Sequence, residues 1–278
     1  MKISKSLIGI CIAAICYSCS APTHIYVPSQ PNVPMLKESG EFKASIATKN
    51  AAAAYAVSNH FAVAASGQYV YGNNSNYHKD FDDDNFIDYD PYNRGYSIEA
   101  GLGYFTTIGV KKLMVFDVYS GFGKGSFKTL DPIFYDHIKD QDYRRDDYKL
   151  SANFTRFYVQ PTIGLVHRAV EVGFTPKFSI VNFHGLRNGS KALPDPDDQF
   201  VFHQISDGTI PFLQPTITVR AGYRYIKFHA QFYQNIVLKG STLYDPQNNI
   251  NYYEDYFDYF KSFMADFGVS IDIGNWFK

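Results

Sequence analysis

The sequence predicts an all-β protein, a closed antiparallel transmembrane β-barrel of about ten strands, within a range of eight to twelve. Three observations predict it. Apolar residues recur with period two in segment after segment, the spacing of strands that present two different faces. The connections between those segments alternate in length, long then short, along the chain. Aromatics make up 17% of the 278 residues, with 24 Phe and 23 Tyr against one Trp, while mean hydropathy is mildly negative. Such an average excludes a bundle of membrane helices. It is compatible with a membrane barrel, where lipid-facing and lumen-facing residues cancel in any window.

The elements follow in chain order. Lys2 and Lys5 precede an apolar run from Leu7 to Ile15, long enough for an export signal and too short to span a bilayer as a helix. Next come Cys16-Tyr17-Ser18-Cys19-Ser20-Ala21-Pro22, with a small residue directly before Cys19; this resembles the relaxed lipobox of Bacteroidota lipoproteins. The resemblance implies that residues 1–18 are a lipoprotein signal peptide and that Cys19 carries the N-terminal lipid, the only cofactor expected. Cys11 lies within the apolar core, and Cys16 follows Ile15, too bulky for the position before a cleavage site. Cys19 is then the only cysteine of the mature chain, which leaves no disulfide, thiolate metal site or cysteine nucleophile. Between Ser20 and Gly40, Pro22, Pro28, Pro31 and Pro34 among small and polar residues suit an extended tether with no packed element. Residues 19–40 are therefore expected to be a lipidated, Pro-rich spacer, and 41–278 the barrel.

Three weaker strands are expected near 41–48, 51–57 and 60–71. The clearest follows: Tyr96, Ile98, Ala100, Leu102 and Tyr104 share one face, Ser97, Glu99, Gly101 and Gly103 the other. The same alternation marks segments at 114–123, 156–165, 170–180, 213–223, 227–236 and 263–273. In the last, Asp266, Gly268, Ile271 and Ile273 fall in the order of an outer-membrane assembly signal, although the chain runs on to Asn275-Trp276-Phe277-Lys278. Long polar stretches occupy 73–94, 127–151, 184–211 and 240–262, and only short links separate the other strands. An even strand count with both barrel ends beside the short turns follows, the plan of long extracellular loops and short periplasmic turns. The hairpin at Lys49-Asn50 is the exception, a short connection at the long-loop end.

Tyr69, Tyr71, Tyr96, Tyr104 and Tyr223 near the ends of the apolar faces place those faces against lipid, with aromatic girdles at the two interfaces. A soluble lipocalin-like barrel would turn the same faces inward. The lumen then holds Lys43, Arg156, Lys177, Arg220 and Lys227 against Glu99, Asp117, Glu171, Asp266 and Asp272, with His229 hydrogen-bonded among them. In a barrel of this size such a set is expected to form an internal salt-bridge network rather than line a wide pore.

Charge is balanced, 26 basic against 27 acidic residues, so nothing favours nucleic acid or an anionic surface. Metal binding has only weak candidates in Asp82, Asp84 and Asp88, part of an acidic stretch with Asp80, Asp83 and Asp90 whose spacing is not that of an EF-hand. Pro194-Asp195-Pro196-Asp197-Asp198 reads as a loop. His78, His137, His184 and His203 lie where a rim enzyme would keep a base, and no motif joins them to a serine or carboxylate. Gly101 and Gly103 occur at strand spacing, not in a phosphate loop. No enzymatic activity is expected.

Cys19-Ser20-Ala21-Pro22 followed by Tyr26-Val27-Pro28, Asn32-Val33-Pro34 and Gly40-Glu41-Phe42 resembles a Bacteroidota family of outer-membrane β-barrel lipoproteins. The likeness reaches the Ala-Tyr-Ala-Val hairpin at 54–57 and continues beyond it only as strand pattern. It implies a barrel in the outer membrane and transfers no catalytic residues. The expected role is a structural or interaction scaffold whose loops at 73–94, 127–151, 184–211 and 240–262 bind a partner protein or surface glycan, as an accessory subunit of an outer-membrane complex. A narrow porin-like channel is the alternative. Lipid on Cys19 is expected in the inner leaflet, on the side of both barrel ends, because the tether is short.

Overall fold

The period-two segments become strands in the computed structural model of the chain, which describes residues 24–71, 93–131, 133, 144–223, 225–239, 241–245, 250–254 and 259–273. In chain order the elements are β1 (Phe42–Ala47), β2 (Asn50–Ala56), β3 (Phe61–Val70), β4 (Arg94–Ile108), β5 (Met114–Leu130), β6 (Lys149–Val166), β7 (Val170–Asn188), the helix α1 (Pro196–Gln204), β8 (Thr209–Tyr223), β9 (Ile226–Gln234), β10 (Ile236–Val237), β11 (Ser241–Asp245), β12 (Ile250–Glu254) and β13 (Phe263–Asp272). Strands β1 to β9 pair antiparallel in sequence order, β9 pairs with β13, and β13 returns to β1. Ten strands thus close a wall with no free edge, as the alternation and the even count require. β10 prolongs the line of β9 against β8, and β11 with β12 forms a separate hairpin in the last long connection.

The two faces are sorted as a membrane barrel sorts them. Outward residues of the lower wall are apolar and bare: Leu102 is 70% exposed, Phe122 71% and Phe228 78%. Inward residues at the alternating positions are buried and polar, Ser97 and Glu99 on β4, Gln160 and Thr162 on β6, Thr175 and Lys177 on β7. Tyr69, Tyr71 and Tyr96 ring the long-loop end of this belt, and Tyr104 and Tyr223 ring the other. From Tyr96 to Tyr104 eight strand steps of about 3.3 Å cover about 26 Å along the strand, enough for a tilted strand to cross most of a hydrocarbon layer.

The long loops at 127–151 and 184–211 are narrower than the sequence suggests. β5 runs on to Leu130, β6 begins at Lys149, β7 ends at Asn188 and β8 begins at Thr209. Towards the long-loop ends of β5 to β8 the alternation inverts: Lys124, Ser126, Lys128, Asn153, Thr155 and Asn182 face outward, while Phe127, Leu150, Phe154, Val181, Phe183 and Phe212 are buried inside. These strand ends stand in water, so their outer face carries no apolar signal.

Prolines interrupt the wall at one level. Pro176 pairs with Pro215 across β7 and β8, and the β6–β7 ladder lapses around Pro161 and Pro176. A proline cannot donate to a ladder. The hydroxyl of Thr175 donates to that of Thr162 at 3.0 Å across the gap.

Candidate functional site

The Pro-rich segment is not a solvated spacer. It crosses the lumen. His24 to Gln30 and Val33 to Leu36 are buried, Ile25, Tyr26, Met35 and Leu36 completely so. The physical reason lies in the prolines themselves, which keep the chain extended and remove its own donors while leaving every carbonyl to be satisfied. The wall supplies those donors. Gln68 donates its amide to the Pro28 carbonyl at 3.2 Å, Gln214 to Ser29 at 3.0 Å, Gln231 to Pro31 at 3.1 Å and Gln160 to Asn32 at 2.6 Å. Lower down, Arg220 donates to the Val33 carbonyl at 2.5 Å and Lys43 to that of Met35 at 2.9 Å.

The charge network exists as two clusters rather than one. On the first level Glu99 of β4 pairs with Arg156 of β6 and, at 2.9 Å, with Lys177 of β7. Two cations face one carboxylate, and the plug completes the set. The Tyr26 hydroxyl accepts from Arg156 at 2.6 Å, and the Ser29 hydroxyl accepts from Arg156 at 2.7 Å while donating to Glu99 at 2.9 Å. Lys177 also lies 4.6 Å from the ring centre of Tyr158. On the second level, towards the short turns, Glu171 of β7 pairs with Arg220 at 3.0 Å, Lys227 at 2.5 Å and Lys43 at 3.4 Å. Glu41, not singled out from sequence, adds a 3.4 Å pair to Lys43.

Three other expected members depart from the network. Asp117 is buried beside Thr162 and Met35 and makes no ion pair among the described residues. Asp266 sits apart at the long-loop end, accepting from the Thr48 amide and hydroxyl and from Asn50. His229 contacts the plug, its Nε2 3.2 Å from the Gln30 amide nitrogen. Asp272 stays with the second cluster, half-buried and lining a small cleft with Lys43, Lys227, Glu171 and Asn32. Equal numbers of opposite charges on one face therefore do not imply pairing, because the plug takes up much of the hydrogen-bonding capacity.

Apolar packing fixes both ends of the plug. Tyr26 is enclosed by Phe127, Phe154, Phe183, Phe212 and Phe260, with ring centres 5.0–6.4 Å away. Beyond it, Ile25 donates its amide to the Tyr259 carbonyl at 3.0 Å, and the His24 carbonyl accepts from Asn93. At the short-turn end Val33 and Met35 pack with Val115 and Val166, and Leu36 with Phe105 and Tyr119. Gly164 and Gly173 make room for Met35: a Cβ at Gly164 would overlap its sulfur, and one at Gly173 would lie 3.1 Å from it. The chain then reverses into β1 at Gly40, whose φ of +80° suits glycine. Glu41 holds this turn by accepting from the Lys37 amide at 2.5 Å.

Over the long-loop end, Asp195 caps α1 by accepting from the Asp197 amide at 2.9 Å. The helix sinks Val201 and Phe202 into the core around Tyr26 and leaves Phe200 exposed. His184 faces outward from β7, and His203 lies exposed on α1. His78, His137, Asp80, Asp82, Asp83, Asp84, Asp88, Asp90 and Cys19 lie outside the described residues, as does most of the 73–94 loop. Among the described residues no group of three His, Cys, Asp or Glu side chains is placed to hold a metal ion.

No family model matches the chain, and no curated protein matches its sequence. The likeness at the N-terminus thus stands without a family assignment. Several solved structures align with the chain. The outer membrane protease OmpT from Escherichia coli is 14% identical, over 84% of this chain and 92% of its own, with a TM-score of 0.37. OmpT, an outer membrane protein of Vibrio cholerae folded in vitro and solved in trimer form, is 6% identical, over 84% and 96%, with a TM-score of 0.24. The architecture rests on the wall's own register and surface. Closed by ten antiparallel strands, apolar outside and polar within, with short turns at one end and long loops at the other, the chain is an outer-membrane β-barrel.

Proposed function

We propose that this protein is a lipid-anchored, non-conducting outer-membrane scaffold that engages a partner protein through its long-loop face, as an accessory subunit of a larger outer-membrane complex. The observation that carries the reading is the occupied lumen: residues 24–36 fill the space a solute would need, and hydrogen bonds from several wall strands hold them there. With transport set aside, the remaining distinctive surface is the loop end. There α1 is pinned by Phe202 and presents Phe200, and the surrounding connections are rich in Tyr and Phe, side chains that give large contact area at low entropic cost.

Planar-bilayer recording tests the closed lumen. The purified protein is expected to give no steady single-channel current, and a variant lacking residues 24–36 to conduct. Steady current through the intact protein, altered by Glu99→Gln or Arg156→Gln, would establish the channel reading instead. Affinity purification from native outer membrane tests the scaffold. A partner retained by the wild type and lost with Phe200→Asp is the expected result.

A further inference from the structure

The direction of the plug says where the mature N-terminus goes. Read backwards from β1, the chain turns at Gly40 beside the short turns, passes Leu36 and Met35 at that end, and climbs to Tyr26 among residues at the long-loop end. Phe127, which touches Tyr26, pairs with Gly95, one residue from the upper girdle at Tyr96. Ten steps from Tyr26 to Leu36, at about 3.1 Å each in an extended Pro-rich chain, cover about 31 Å. The segment therefore spans the membrane belt from one end to the other. His24 stands at the mouth, between Asn93 at the start of β4 and Tyr259 ahead of β13.

Cys19 precedes His24 by five residues, which reach at most about 18 Å. That is less than the height of the belt, and the lumen below is filled. The short-turn side is out of reach. The long-loop side offers an exit, because among the described residues the wall between β4 and β13 is low. The β1–β2 hairpin tip lies next to Asn50, which pairs with Gln68, and Gln68 with Ser97, at the level of the upper girdle. On the opposite side β5 to β8 rise well above it.

We infer that the plug delivers the mature N-terminus to the extracellular face, so that acyl chains on Cys19 insert into the outer leaflet. This reverses the inner-leaflet placement that a solvated tether predicts. The leaflet assignment rests on the proposed lipidation of Cys19; the route of the chain does not.

Maleimide labelling of intact cells separates the two. A membrane-impermeant maleimide is applied to cells making the wild type, Thr23→Cys or Val110→Cys, before and after permeabilisation, with labelling normalised to the denatured protein. Val110 sits in the β4–β5 turn at the opposite end. The expected result is no reaction of the wild type, whose only mature thiol is held in the lipid's thioether bond, ready reaction of Thr23→Cys on intact cells, and reaction of Val110→Cys only after permeabilisation. Thr23→Cys reacting only after permeabilisation would overturn the route. Wild type reacting on intact cells would uphold the route and overturn lipidation. Wild type reacting only after permeabilisation would overturn both. As a second measurement that needs no new thiol, an epitope inserted after Pro22 is expected to bind antibody on intact cells, and binding confined to permeabilised cells would overturn the route.

Discussion

Towards the short turns the wall is greasy outside and polar within; towards the long loops β5 to β8 carry polar residues outside and aromatic ones within. The change occurs along single strands. On β5 the outward series passes from Phe122 to Lys124, Ser126 and Lys128, while the inward series passes from Asp117 to Phe127. On β7 the outward Phe178 and Ile180 give way to Asn182, and the inward Lys177 to Val181 and Phe183. A strand thus has no fixed greasy side. What surrounds it decides, and one continuous ladder serves as a membrane wall for part of its length and as a water-soluble barrel with an apolar core for the rest. The plug matches each zone in turn, offering carbonyls, Ser29 and Gln30 to the polar layer and Ile25, Tyr26 and Val27 to the aromatic one.

Unbalancing the polar zone should have the largest effect. Glu99→Leu leaves Arg156 and Lys177 buried without their carboxylate, and a loss of about 3–5 kcal/mol is expected in denaturant unfolding of the barrel in detergent micelles. A change under 1 kcal/mol would mean that the plug's oxygens suffice to satisfy both cations. Next in size is a charge placed on the outer face. Phe122 pairs with Ala100, midway between the girdle residues Tyr96 and Tyr104, so Phe122→Lys meets the middle of the lipid belt and is expected to cost about 2–4 kcal/mol. Asn182→Lys, equally outward but in the polar row it shares with Thr155 and Lys124, should stay within about 0.5 kcal/mol of the wild type. Equal costs in lipid vesicles would abolish the distinction between the zones. The smallest effect concerns the plug itself. Gly164→Val intrudes on Met35 and should cost about 1–3 kcal/mol, with most of the loss recovered when Met35→Ala is added. Additive losses would place Met35 away from Gly164.

How much of this was legible in the sequence follows from the same division. All ten wall strands were readable because the lower wall divides lipid from a polar lumen, which forces strict alternation from Tyr96 to Tyr104 and in its neighbours. The upper halves of β5 to β8 were not, since an outward Lys128 or Asn182 looks like loop when its inward partner is taken for an outward one. Glu99, Arg156, Lys177, Glu171, Arg220 and Lys227 were found as lumen residues from parity alone, but their grouping needed the register. The plug was hidden by its prolines, which resemble a linker. Two signals pointed the other way: a solvated spacer has no use for Ile25-Tyr26-Val27 or Met35-Leu36, and Gln68, Gln160, Gln214 and Gln231 at inward positions are donors in search of carbonyls.

The seam between β1 and β13 gives the plug a place in time as well as in space. β1 begins directly after the turn at Gly40, so the segment that fills the lumen and the strand that closes the wall are consecutive pieces of one chain. With lipid on Cys19, as proposed, the N-terminal end could not be drawn through a finished, charge-lined lumen without carrying acyl chains past Glu171 and Glu99. Circumventing that passage requires residues 24–36 to lie across the open sheet before β1 meets β13. Wall closure would then be the event that locks the chain inside itself, and the order of assembly would be written into the connectivity.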